Sequence, residues 1–126
     1  MIKHERDYEL NLQVLNLCRV FDSLSEEEKS SLAEIGELFY YQKGEKVFDM
    51  GDIRNNHFYV VDSGRLLLKL RTKQAKEYEK GELFGEVAIF TEGFRMGSVV
   101  AVEDSALLVF DKEKLLNSNF ITPEKH

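Results

Sequence analysis

Glu86 and Arg95 stand nine residues apart in the stretch FGEVAIFTEGFRMGSVV, Phe84 to Val100, among apolar and glycine residues. Burying an unpaired charge is costly, so such a segment has two ways to carry them. The two neutralise each other in an internal ion pair, or they are held for a ligand. Gly81 and Gly85 flank ELF, and EVAIF after them can form a short helical turn. Glycine lets the backbone approach a bound group, and the first amides of a helical turn are unpaired donors suited to a phosphate. Arg95 follows after a loop containing Gly93, and a guanidinium holds two phosphate oxygens in its planar fork. A carboxylate beside a phosphate repels it unless it accepts from something else, and sugar hydroxyls fill that role for Glu86. Amides, one arginine and one carboxylate suit a nucleotide bearing a single phosphate charge. No G-x-x-x-x-G-K-[ST] loop is present, so a triphosphate is not expected.

Catalytic alternatives find little support. The histidines are His4, His57 and His126, with no H-x-H pair, so no metal centre is expected. Ser98 lacks a neighbouring base relay and is a poor nucleophile. Tyr59 and Asp62, in a strand and its turn, suit structural roles. Cys18 lies in an apolar helical run and reads as a buried, inert thiol. The chain is therefore not expected to be an enzyme, and no cofactor is called for.

The elements that must position these residues can be read from spacing. Leu10, Val14, Leu17, Cys18 and Phe21 recur at helical spacing, and Leu12 and Leu15 widen the stripe. That width leaves two uses open: packing within its own domain, or a homodimer seam through the N-terminal helices. Ser25 and Glu28 form an S-x-x-E capping box ahead of a second helix, whose apolar face is Leu32, Ile35 and Leu38. From Phe39 the pattern changes to short strands such as KVFDM, FYVVDS and RLLLKL, separated by Gly44, Gly51, Gly64 and Gly81. Val99 to Val102 and Ala106 to Phe110 add two strands joined by a turn at Glu103–Asp104. Asp111 to Leu116 reads as a short helix with Asp111 as N-cap, followed by a polar, frayed tail. The runs KQAKEYEK and SEEEKSS read as solvated faces, and Thr72 to Lys76 as an exposed hairpin turn. The fold class is α+β, mostly β: N-terminal helices over residues 1–38, an antiparallel β-sandwich of jelly-roll type over 39–110, and a short helix and tail over 111–126.

With 126 residues the chain fits one domain able to bury a core without disulfides. A single cysteine suits a reducing cytoplasm. The first ten residues are charged rather than signal-like, and no apolar run approaches a membrane span. A net charge of −6 argues against a nucleic-acid surface, though a local cradle of donors can still hold a small anion.

The same stretch resembles the phosphate-binding cassette of cyclic nucleotide-binding domains, roughly F-G-E-[LI]-A-L, a loop, then R-[AST]-A-[ST]-V. Phe84, Gly85, Glu86, Val87 and Ala88 match its front; Arg95, Gly97, Ser98 and Val99 match its back. FDSLSEEEKSSLAEI is similar to the family's leading helix, KGEKVFDMGD to its first strands and HFYVVDSG to its F-Y-[IV]-[IV]-x-x-G strand. AVEDSALLVFDKEKL resembles the last strand and following helix, so the matches run in family order from about Phe21 to Leu116. The resemblance implies that Glu86 binds the ribose 2′-hydroxyl and Arg95 the cyclic phosphate, with amides of Gly85, Ala88 and Gly97 completing the cradle. Met96 stands where members preferring cGMP often have threonine, which favours cAMP over cGMP, since methionine offers no hydroxyl to guanine. Phe94 replaces a common proline. The sequence also lacks a convincing long helix after the sandwich, so a lid over the base comes from a partner, from residues outside this chain, or is missing. No helix-turn-helix, kinase, channel or cyclase pattern is visible. The implied role is a sensor relaying cyclic nucleotide occupancy to an effector that the sequence does not name; the alternative is a protein-interaction module that kept the fold and lost the ligand.

Overall fold

A computed structural model describes residues 2–4, 8–49, 57–71, 74–85 and 97–111. Among these, nine strands and two α-helices follow the order β1 (Ile2–His4), α1 (Tyr8–Leu17), a 3₁₀ turn (Arg19–Phe21), α2 (Glu26–Ile35), β2 (Glu37–Tyr41), β3 (Lys46–Phe48), β4 (His57–Ser63), β5 (Leu66–Lys69), β6 (Gln74–Tyr78), β7 (Leu83–Phe84), β8 (Ser98–Ala101) and β9 (Ser105–Asp111). They make two antiparallel sheets, β1-β2-β9-β4-β7 and β3-β8-β5-β6.

The five-stranded sheet is the middle layer, and the alternation of side chains along its central strands shows why. In β4, Phe58 and Val60 pack with the helices, while Tyr59 and Val61 face the second sheet. In β9, Leu108 and Phe110 go to the helices, and Leu107 and Val109 to the second sheet. Side chains alternate with period two, so a strand covered on both faces must be apolar throughout. That is why SALLVF is a continuous buried run.

Helix α2 begins at the expected capping box. The Glu28 amide donates to Ser25 Oγ at 3.1 Å, and the Ser25 amide donates to Glu28 Oε1 at 3.0 Å. It ends earlier than the apolar spacing predicts. Gly36 closes it by donating to the Leu32 carbonyl at 3.1 Å, and Leu38 belongs to β2, opposite Leu108. Helix and strand both place an apolar residue here, so periodicity alone does not separate them.

Helix α1 is also turned relative to the expected stripe. Val14, Leu15, Cys18 and Phe21 are buried, but Leu10 and Leu17 are 51% and 55% exposed. Each lies one residue, about 100° of helix, from the buried Asn11 and Cys18. The buried arc is centred on Asn11, whose Nδ2 donates to the carbonyls of Ala33 (3.0 Å) and Gly36 (3.3 Å). A polar side chain at the centre of the packed face thus satisfies acceptors at the end of α2.

Strands β1 and β6 escaped the sequence reading, as did the two-residue β7. β1 lies in the charged N-terminal segment and pairs with β2, Ile2 opposite Tyr40. β6 occupies the run read as an exposed turn and solvated face, with Leu66 opposite Tyr78. Lys76 and Glu77 are exposed as expected, while Tyr78 is half-buried against the core. Both are edge strands, where charge is tolerated and discourages pairing with other chains. Asp111, expected as a helix N-cap, is the last residue of β9. The helix and tail read after it lie outside the described residues.

Candidate functional site

The cassette enters from β7 and leaves into β8, so its two ends hang from different sheets. The intervening residues 86–96, with Glu86, Val87, Ala88, Arg95 and Met96, lie outside the described residues. Gly85, Gly97 and Ser98 are described.

At the front, Phe84 is 2% exposed and forms part of an aromatic stack. Its ring lies 5.0 Å from Tyr59 at 13° and 4.8 Å from Tyr78 at 23°, with Phe48 tilted at 6.2 Å. β7 is only two residues long, and Phe84 pairs opposite Tyr59 of β4. The turn before it is tied by the Gly81 amide to the Val61 carbonyl (2.8 Å) and by the Val61 amide to the Glu82 carbonyl (3.0 Å). Gly85 follows immediately with φ +88°. That left-handed conformation is open to glycine and strained for residues with a β-carbon, so the chain leaves the sheet here by a route few other residues take.

At the back, Gly97 is buried for a different reason. A β-carbon there would sit 2.7 Å from the Lys69 carbonyl oxygen and 3.0 Å from Leu68 Cδ1 and Leu70 Cδ2. The backbone therefore passes directly against β5. Ser98 then pairs opposite Lys69, and Val99, 1% exposed, opposite Leu68.

The β8–β9 turn is fixed by side chains. Ser105 Oγ donates to the Glu103 carbonyl at 2.8 Å and accepts from the Arg65 amide at 3.1 Å, and Asp104 Oδ1 accepts from the Lys43 amide at 2.8 Å. Around this frame, Asp62 and Tyr41 are among the groups whose ionisation is shifted. Burial pushes the Asp62 carboxyl up, partly offset by Lys80. Burial, with Tyr59 and Glu45 nearby, pushes the Tyr41 phenol well up, so it stays protonated. The sequence reading missed the stacking role of Phe84 and Tyr78 and the burial of Asn11. The first was visible only as aromatic residues in separate strands, and the second carried no local signal. Among the described residues no helix is long and apolar enough to cross a membrane.

The model of the cyclic nucleotide-binding domain matches residues 38–118, well over half the chain. The cyclic AMP receptor protein of Thermus thermophilus is 34% identical over 103 residues, covering 77% of this chain and 47% of that protein. Among solved structures, the regulatory domain of Toxoplasma gondii PKA with cAMP aligns at a TM-score of 0.82 and 18% identity, covering 86% of this chain and 43% of that one. The regulatory subunit of a cAMP-independent protein kinase A from Trypanosoma cruzi, bound to guanosine, aligns at 0.81 and 16%, covering 92% and 42%. At these identities the two likenesses concern the fold alone. The chain spans less than half the length of the relatives it matches, from 10% to 47% of each. Matched by the family model across both sheets and the whole cassette, the chain belongs to the cyclic nucleotide-binding domain family, a regulatory, nucleotide-sensing domain.

Proposed function

We propose that the chain is a single sensor domain that binds a cyclic nucleotide, cAMP in preference to cGMP, in the cassette spanning residues 84–99, and relays occupancy to a partner protein. Glu86 takes the ribose 2′-hydroxyl and Arg95 the cyclic phosphate. Amides of Gly85, Ala88 and Gly97 complete the cradle, flanked by Val87, Met96 and Ser98. The observation that carries this is the pair of backbone positions at the cassette's ends. Gly85 holds φ +88°, and Gly97 leaves no room for a β-carbon beside the Lys69 carbonyl. Both are where a backbone that must donate amides to an anion needs glycine.

Calorimetric titration with cAMP and cGMP tests it. Saturable heat with cAMP is expected, abolished in Arg95→Ala and weakened in Glu86→Ala. A hydrogen bond to a charged group contributes about 1.5–3 kcal/mol, so losing one phosphate contact lowers affinity by roughly 10- to 150-fold. Absence of heat with either nucleotide at millimolar concentration overturns the proposal. The fold likeness to the regulatory subunit of a cAMP-independent kinase gives the second reading its specific form. There the domain answers to another ligand or to a protein partner alone. Guanosine heat without cAMP heat would select the first of these.

A further inference from the structure

The turn between β6 and β7 lies directly against the end of α1. A β-carbon on Gly81 would sit 3.2 Å from Leu17 Cβ and 3.3 Å from the Leu17 carbonyl oxygen. Where the two meet they enclose a cleft of about 380 Å³. Its apolar lining includes Leu17, which is 55% exposed, and the half-buried Leu83. Arg19 after α1, Lys76 on β6 and Lys80 in the turn line it as well, all three exposed. Among the described residues the carboxylate in the lining is that of Glu82, and it is already engaged. Its Oε2 lies 3.4 Å from Lys76 Nζ, and its Oε1 accepts from the Glu79 amide at 2.9 Å. Asp62 also stands near Lys80, outside the lining. Even with both carboxylates counted, the cleft is locally cationic on a chain whose net charge is −6.

Charge and shape together restrict the occupant. A nucleic acid or an anionic membrane would meet the acidic remainder of the surface, and the local excess is small for either. A simple inorganic anion would leave Leu17 and Leu83 unused. A peptide segment with acidic residues around an apolar one uses both: its apolar side chain meets the leucines, and its carboxylates meet Arg19 and Lys80. The acidic remainder repels such a segment elsewhere, which directs it here. The volume is at the lower end of the roughly 300–1,000 Å³ of binding pockets, room for a few side chains. We propose that this cleft is a docking site for an acidic segment of another protein, centred on one apolar residue.

The test follows amide NMR shifts of the isotope-labelled full chain during titration with acetyl-Glu-Glu-Leu-Glu-Glu-amide. Saturable shifts at Leu17, Arg19, Lys80 and Leu83 are expected at low salt, with affinity falling as salt screens the pairs. A peptide with alanine for its leucine should bind about three- to tenfold more weakly, the worth of a partly buried leucine side chain. A peptide with glutamine for its glutamates should not bind. Arg19→Glu and Lys80→Glu should each weaken the parent peptide by about two- to tenfold, as for exposed ion pairs. Leu17→Ala should weaken the leucine peptide and leave the alanine peptide nearly unchanged. All three side chains are exposed, so these variants keep the fold. No saturable shift at these amides up to millimolar peptide overturns the proposal. So does equal affinity for the glutamine peptide, or unchanged affinity in both charge variants. Displacement by inorganic pyrophosphate at lower concentration than the peptide needs would mark a small-anion site and also overturn it. Concentration-dependent shifts at the same amides without peptide would do so in favour of a second copy of the chain. The assay holds no nucleotide, so its outcome is separate from that of the cassette titration.

Discussion

Replacing Phe84 by leucine tests whether the aromatic stack holds the front of the cassette. Phe84 lies between Tyr59 and Tyr78 in two near-parallel contacts, with ring centroids 5.0 and 4.8 Å apart. Offset-stacked pairs contribute about 0.5–1.5 kcal/mol each beyond the area they bury. Leucine keeps most of the buried apolar surface and removes both stacks, so the expected loss is about 1–3 kcal/mol. A domain with roughly 5–15 kcal/mol of stability remains folded after such a loss, which leaves binding measurable. Urea unfolding should show a lower midpoint with an unchanged slope, since the exposed area on unfolding hardly differs. A double-mutant cycle with Tyr78→Leu isolates one stack, and its coupling energy should fall at about 0.5–1.5 kcal/mol. Calorimetry on the same variants should show weaker cAMP binding in Phe84→Leu, because Gly85 follows Phe84 directly. A coupling energy near zero, or a stability loss with unaltered affinity, would refute the link between stack and cassette.

Asp62 gives a pH-dependent outcome. Burial raises its folded-state pKa, so its contribution favours the fold below the ordinary carboxylate range and is lost as pH rises through the raised value. Asp62→Asn should therefore be more stable than the parent at neutral pH, with the difference vanishing in acid; thermal melts across that range read it, and a difference that grows in acid would contradict it. Asn11→Ala should cost about 1–3 kcal/mol by urea unfolding, since two carbonyls at the end of α2 lose their donor. Asn11→Asp should cost more at neutral pH, because a carboxylate would face those same carbonyls, and the gap should narrow as pH falls.

What could be read from the sequence, and what could not, divides by the range of the interaction. The capping box joins residues three apart, and its two hydrogen bonds form as expected. The strands FYVVDS and SALLVF announce themselves by composition, because both faces are covered. Asn11 is different: its partners lie 22 and 25 residues away, and an asparagine in a leucine-rich helix gives no local hint of burial. β1 and β6 are strands because β2 and β5 accept them, so their charged sequences look like loops until the neighbour is known.

The cassette falls between these cases. Its end glycines, Gly85 and Gly97, are legible in the sequence, but the frame that sets its ends is not local. Phe84 reads as a conventional apolar letter in FGE, yet its ring is fixed by Tyr59 of β4 and Tyr78 of β6, which belong to different sheets. The two ends are also held unequally. Gly85 follows a two-residue edge strand, whereas Gly97 leads into a four-residue strand flanked by β3 and β5. Short edge pairing supplies few backbone hydrogen bonds, so side-chain stacking must supply most of the anchorage at the front. At the back, the ladder and the close passage against Lys69 do so.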